Sequence, residues 1–240
     1  MLNKLKIVQL GEVDSTNSYA LRNLSSLDDK TIIIAETQTT GRGRFERKWI
    51  SDVPNNVYLS MVLKPNGENI PYSNITQYAC VILTRVFEKY KVSSGIKWPN
   101  DILVDNKKIS GILSEMSYSG SAVKGFVLGI GVNLNLSEEL VNSISQPATA
   151  LNLLIQNDVD KMEFVNLFLS EFFGHYDEFF GNGFSSVKDE YEQKSVFVGQ
   201  SIKINDISGI ARGVTTDGEL VVVDKNNIEH IVLAGDLLMI

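Results

Sequence analysis

The chain has 240 residues, 43% of them hydrophobic and 21% charged, a balance ordinary for a folded soluble protein. A formal net charge of −7 argues against general DNA or RNA binding, which needs a basic face. The single cysteine, Cys80, excludes an internal disulfide, and the only histidines, His175 and His230, sit in separate elements with no Cys or His neighbours to complete a zinc site.

The first residues run straight into a strand pattern at 5–10, without a signal-peptide core. No apolar run is long enough to cross a bilayer, so a cytoplasmic protein is expected. Asp14-Ser15-Thr16-Asn17 offers helix N-caps before Tyr19, Ala20, Leu21 and Leu24. The β-branched run Thr31 to Ala35 predicts a buried strand leading into a glycine- and arginine-rich loop, and Val57 to Leu63 predicts another strand. Ile75 to Tyr90 keeps helical spacing for nearly four turns. Cys80 falls inside that pattern and reads as a buried thiol. Strands follow at 96–98, 102–104, 108–115 and 122–131, with a hairpin turn at Asp105-Asn106. Ala148 to Ile155 reads as a short helix, and Val165 to Phe180 as one long amphipathic helix whose aromatics are core. After Lys194 short strands come at close spacing, 201–204, 210–214, 220–223 and 228–233, with turns at Asp217-Gly218 and Asn226-Asn227. The fold class expected is α+β: a mixed β-sheet packed with helices over 1–194, then a small SH3-like β-barrel over 195–240. That tail carries three cations against six carboxylates, which makes it a poor nucleic-acid binder.

Four constellations could carry chemistry. Gly41-Arg42-Gly43-Arg44-Phe45-Glu46-Arg47-Lys48-Trp49 sets four cations against one carboxylate inside an acidic protein. Its glycines let backbone approach a ligand, and its arginines can grip carboxylate or phosphate with two prongs. Such a loop points to a small anion. Gln38 before it could bond a polar ligand head, and Trp49 offers a flat face for a ring. In Lys97-Trp98-Pro99-Asn100-Asp101, proline fixes a turn that presents an amide and a carboxylate beside a lysine, a set that suits a triphosphate with its magnesium. Lys108 to Glu115 is a strand in which Lys108, Ser110, Ile112 and Ser114 are expected to share one face. In Gly129-Ile130-Gly131-Val132-Asn133, two glycines let something flat approach closely, without the third glycine of a dinucleotide fingerprint. Each has a plain structural reading as well: a solvated loop, a turn with a buried tryptophan, a lysine-guarded edge strand, a tight turn.

Taken in order, these segments resemble the catalytic domain of biotin–protein ligases. The resemblance rests on Asp14-Ser15-Thr16-Asn17, Gln38 with the 41–49 loop, Lys97 to Asp101, Lys108 with Gly111-Ile112-Leu113 and Glu115, and Gly129 to Asn133. It implies that biotin's carboxylate attacks the α-phosphate of ATP, with Mg²⁺, and that biotinyl-AMP is then taken by a lysine of a biotin carboxyl carrier domain. By resemblance, Ser15, Thr16, Asn17, Gln38, Gly41, Arg42, Lys108 and Gly111 line biotin. Arg44 and Lys108 bridge its carboxylate and the α-phosphate as the catalytic cations. Arg47, Trp49, Lys97, Asn100, Asp101 and Asn133 serve the nucleotide, with Asp101 helping to place Mg²⁺ or the incoming lysine. The family contains monomers and homodimers, and either is expected. The glycines and uncompensated charge of the loop predict that it is mobile when empty and orders over the adenylate.

Two features depart from the family. Glu46 stands where glycine is usual and is expected to face solvent. The first catalytic strand starts within ten residues of Met1, so a stand-alone form without a helix-turn-helix domain is expected, with no DNA-binding role. The rival readings are a lipoate or octanoate ligase, whose arginine-rich and triple-glycine segment is missing here, and a non-enzymatic protein that holds biotin or RNA.

Overall fold

A computed structural model describes residues 5–64, 72–120 and 122–240; the side chain of Glu46, and so the expectation for its carboxylate, lies outside the described residues. The larger sheet runs in the order β1-β2-β3-β7-β6-β5-β4. Its strands are β1 (Ile7–Val13), β2 (Thr31–Gln38), β3 (Val57–Leu63), β4 (Gly95–Lys97), β5 (Asp101–Val104), β6 (Lys107–Ser119) and β7 (Ala122–Val132). β1 pairs parallel with β2, and the other ladders are antiparallel. Every residue of β3 is buried, as its unbroken apolar run requires of a central strand covered on both faces.

The two faces are covered differently, and this makes the site. α2 (Ile75–Lys89) and α5 (Lys161–Gly174) cover one face, meeting Phe126, Leu128, Ile130 and Val132 of β7. Burying each such side chain contributes roughly 1.5–3 kcal/mol. The aromatics Phe168, Phe172 and Phe179 are core, as their spacing predicted, and Cys80 is fully buried, its thiol pKa pushed well up by that burial. α1 (Thr16–Arg22) covers only part of the other face, packing Ala20 with Leu24, Ile33, Val62 and Val127. Because side chains alternate along a strand, Gly129 and Gly131 share that face with Val127. Beyond α1 the sheet surface is therefore nearly bare.

Three expectations change. The helix read over 165–180 is two, α5 and α6 (Tyr176–Asn182), because Gly174 and the non-helical His175 (φ −112°, ψ 3°) interrupt it. The helix read from Ala148 starts later, as α4 (Leu151–Ile155), because Ala148 makes a parallel bridge to Lys108 instead. Finally, Lys108 does not share a face with Ser110. The register shifts so that Leu103 pairs with Lys108 and Ile102 with Ser110, which leaves Ile109 as a bulge and turns Lys108 toward Gly111. α3 (Glu138–Ser143) and α7 (Lys188–Gln193) were not foreseen. The expected Asp105-Asn106 turn is present, both residues having positive φ (48° and 61°).

The C-terminal strands β8 (Ser201–Ile204), β9 (Ile207–Val214), β10 (Leu220–Asp224), β11 (Glu229–Val232) and β12 (Leu238–Met239) form a second, antiparallel sheet in the order β11-β10-β9-β8-β12. It is consistent with an SH3-like unit, although its strand order is open where a closed barrel was expected. Its β9–β10 turn is fastened to the first sheet's helix face. Gly218 O accepts from Gln77 Nε2 (2.7 Å) and Trp98 Nε1 (3.1 Å), and Asp217 O from Asn74 Nδ2 (2.7 Å). Among the described residues no helix is long and apolar enough to cross a membrane.

Candidate active site

The bare patch of sheet is the floor of the site. Gly111 and Gly131 are cross-strand partners, and Trp49 lies on both. A Cβ at Gly131 would fall 2.6 Å from Trp49 Cε2, and one at Gly111 3.2 Å from Cζ3. Of the two glycines expected to admit something flat, Gly131 thus meets the chain's own indole, whereas a Cβ at Gly129 would fall 2.3 Å from Asn17 Oδ1. Trp49 Nε1 is buried there with no hydrogen-bond partner among the described residues.

At the α1 edge of the floor the polar residues interlock. Ser15 caps α1, its side chain accepting from Ser18 N. Gln38 Oε1 accepts from Thr16 N (2.8 Å) and Thr16 Oγ1 (3.1 Å). A backbone N–H can only donate, so this bond fixes the amide and turns Gln38 Nε2 outward. That nitrogen lies beside Gly41, 3.1 Å from where a Cβ would be. It has no acceptor among the described residues and is a donor set for a polar ligand head. Asn17 is committed inside the protein: its Nδ2 donates to Glu115 Oε2 (2.8 Å) and its Oδ1 lies 2.5 Å from Ser60 Oγ.

The cations are distributed unevenly. Arg42 Nη2 pairs with Glu115 (3.3 Å) and donates to Ser18 Oγ (2.9 Å). Arg47 pairs with Asp236 of the second sheet. Lys108 Nζ lies 2.7 Å from Asp101 Oδ1, an ion pair off the hydrogen-bond axis, and 5.3 Å from the Trp49 ring centroid. Arg44 is the exception. Its Nη1 donates only to neutral oxygens, Asn100 Oδ1 and Gly235 O, both at 3.3 Å, and its guanidinium stacks on Phe45. Burial is the first cause pulling the Arg44 pKa below its ordinary value. The charges of Asp236 and Asp101 act the other way, although among the described residues neither forms an ion pair with Arg44. Asn100 is aimed by its own bond from Nδ2 to Ile112 O (2.7 Å), and Arg44 and Asn100 line a cleft of about 330 Å³ that the second sheet helps to close. The expectation of an uncompensated loop is therefore corrected in part: among the described residues Arg42 pairs with Glu115 and Arg47 with Asp236, while Arg44 and Lys48 have no carboxylate within ion-pair distance.

Of the remaining candidates, Lys97 ends β4 opposite Asp101 in the register. Asn133 is largely committed to structure, its Nδ2 donating to Thr149 O (3.0 Å).

The model of the biotin/lipoate A/B protein ligase family matches residues 10–133. This chain belongs to that family. Among family relatives, the bifunctional ligase/repressor BirA of Bacillus subtilis is 29% identical over 207 residues, covering 84% of this chain and 64% of that protein. This chain thus spans just under two thirds of that relative's length. The biotin–[acetyl-CoA-carboxylase] ligase of Paracoccus denitrificans is 28% identical over 224 residues, 88% of this chain and 92% of that one. The fold matches the biotin protein ligase from Aquifex aeolicus in complex with biotin and ATP, with a TM-score of 0.82, 25% identity and 98% of each chain covered.

Sequence reasoning passed over three residues that build this family site. Ser60 is fully buried under Thr16 and Asn17, a serine in an otherwise apolar run and so visible in principle. Glu115, noted only as part of a motif, ties Asn17 to Arg42. Asp236 has no local signal, because its partner is 189 residues away.

Proposed function

We propose that this chain is an ATP-dependent biotin–protein ligase, and that residues 1–194 and 195–240 are its catalytic and C-terminal domains. The observation that carries the reading is the set of cations at the glycine floor and the cleft: Lys108 beside Asp101 and over the Trp49 ring, and Arg44 bonded to Asn100 at the cleft. Family membership and relatives bearing that activity support it.

In the first step a biotin carboxylate oxygen bonds to the α-phosphorus of ATP, and the bond to pyrophosphate breaks. Two anions must meet, so the chain's contribution is position and charge. Gln38 Nε2 donates to the polar head of biotin, while Thr16 and Ser15 keep that wall in place. Gly41 and Gly111 give clearance, and the Trp49 ring shifts or stacks to admit the ligand. Lys108 and Arg44 neutralise charge as it develops between carboxylate and phosphate. Lys97, Asn100, Arg47 and Asn133 belong to the nucleotide side. In the second step the amine of an acceptor lysine, on a biotin carboxyl carrier domain, bonds to the acyl carbon, AMP leaves and the amine loses a proton. Asp101, once Lys108 turns to the ligand, is placed to orient that amine.

Among the described residues no group of three His, Cys, Asp or Glu side chains could hold a metal ion. Mg²⁺ would arrive with the ATP phosphates, where it would supply charge neutralisation, with Asp101 as the carboxylate at hand.

The test is ATP–pyrophosphate exchange by the purified protein with Mg²⁺, comparing biotin, lipoate, octanoate and no acid. Exchange with biotin alone is expected. Exchange with lipoate or octanoate instead would reassign the substrate within the family, and no exchange with any acid would remove the ligase reading.

A further inference from the structure

Arg47 takes its carboxylate from the second sheet, at Asp236, and the residue before it, Gly235, gives its carbonyl to Arg44 at 3.3 Å. One two-residue step of the C-terminal sheet thus holds both arginines on the far side of the loop. The step is rigidly built. Leu237 next to it is buried, Asn205 Nδ2 donates to Ala234 O at 3.1 Å, and a Cβ at Gly235 would fall 2.7 Å from Ile204 Cγ1. The sheet that carries it is fastened to Gln77 and Trp98 through Gly218. Asp236 is therefore the fixed member of the pair, and Arg47, on an exposed loop, is the member able to move.

A carboxylate on a loop arginine occupies the place a phosphate oxygen would take. We propose that Asp236 is a resident competitor of the nucleotide. In the empty protein it draws Arg47, with Gly235 drawing Arg44, to the C-terminal sheet; the phosphates of ATP then take both guanidiniums from it. This rests on the ligase reading for the identity of the displacing anion. The arginine and the carboxylate are both substantially exposed, 56% and 38% at the side chain, so the pair is weak and a polyanion can displace it. The arrangement favours a ligand of several charges over a lone carboxylate, which would merely exchange like for like.

Two measurements on the full chain test this. In limited trypsin digestion without ligand, Asp236→Asn should be cut after Arg44 and Arg47 several-fold faster than the wild type, and Asp236→Glu at close to the wild-type rate. Equal rates for Asp236→Asn and the wild type, with circular dichroism unchanged, would overturn the latch. In calorimetric titration with ATP and Mg²⁺, Asp236→Asn should bind roughly two- to fivefold more tightly. Weaker binding would make Asp236 an aid to the nucleotide and overturn the competitor role. ATP binding by neither protein would sink the nucleotide site and the competitor role together, while the digestion would still judge the hold of Asp236 on the loop.

Discussion

Lys108 reaches the sheet's bare face because of one bulged residue, and its present partner is a carboxylate at 2.7 Å. Replacing it by alanine removes a charge aimed at the forming anhydride and leaves the fold untouched. Lys108→Ala should slow biotin-dependent pyrophosphate exchange by about 10²–10³-fold, the size found for losing one preorganised electrostatic group. Unchanged exchange would remove Lys108 from the chemistry. Ser60 gives the complementary case, a residue whose loss should act on stability. With one hydroxyl it serves both Thr16 Oγ1 (2.7 Å) and Asn17 Oδ1 (2.5 Å) in a fully buried position. Ser60→Ala should cost about 1–3 kcal/mol in denaturant unfolding, because the buried Asn17 Oδ1 loses its donor.

At the scale of elements, α1 is joined to the strand before it by the Asp14–Arg22 pair, which holds the Asp14 pKa at about 2. The folded value is depressed below the ordinary carboxylate value, so the contribution is present above roughly pH 4 and is lost as pH falls toward 2. Both side chains are largely exposed, so the effect is small. Asp14→Asn should flatten the acid limb of the stability curve in that window, being slightly less stable than the wild type above pH 5 and converging with it near pH 2. Had the variant and the wild type lost stability in parallel below pH 4, the pair would contribute nothing.

Most of these elements were legible because their signals are local. The β-branched run of β2, the apolar run of β3, the helical spacing of α2 and the Asp105-Asn106 turn each lie within a few residues, and each was read with nearly its observed bounds. The misreadings arise where a distant partner decides. Ala148 joins Lys108 in a bridge, and Ile109 is pushed out of register by β5, facts that no window on either segment contains. The candidate site was legible as a set of residues and less so as an arrangement. Lys108 reaches the floor beside Trp49 and Gly111, whereas Asn17 and Asn133 are committed to neighbours, and of the two glycines expected to admit something flat Gly131 meets Trp49 and Gly129 meets Asn17.

For the whole molecule, one backbone oxygen of the β9–β10 turn takes two donors from the first unit. Gly218 O accepts from both Gln77 and Trp98, and Trp98 belongs to the same turn as Asn100 and Asp101. Trp98→Phe keeps the ring in its buried place and deletes the donor. It should cost about 0.5–1.5 kcal/mol, the net worth of a hydrogen bond. Hydrogen exchange should then rise across β9–β10 while β2 and β3 stay protected. Uniform loss of protection would show that the second sheet has no separate stability.

The Arg47–Asp236 pair also has a history in time. The loop leaves the ribosome 189 residues before its counter-charge is made. At ~5–20 residues per second that interval is on the order of 10–40 s. Through that interval a loop of four cations exists with its second anchor unmade, although the strands of its own sheet, through β7, are finished well before the end. Until the last strands are released, the nascent chain presents its anion-binding arginines without the brake that the finished molecule places on them.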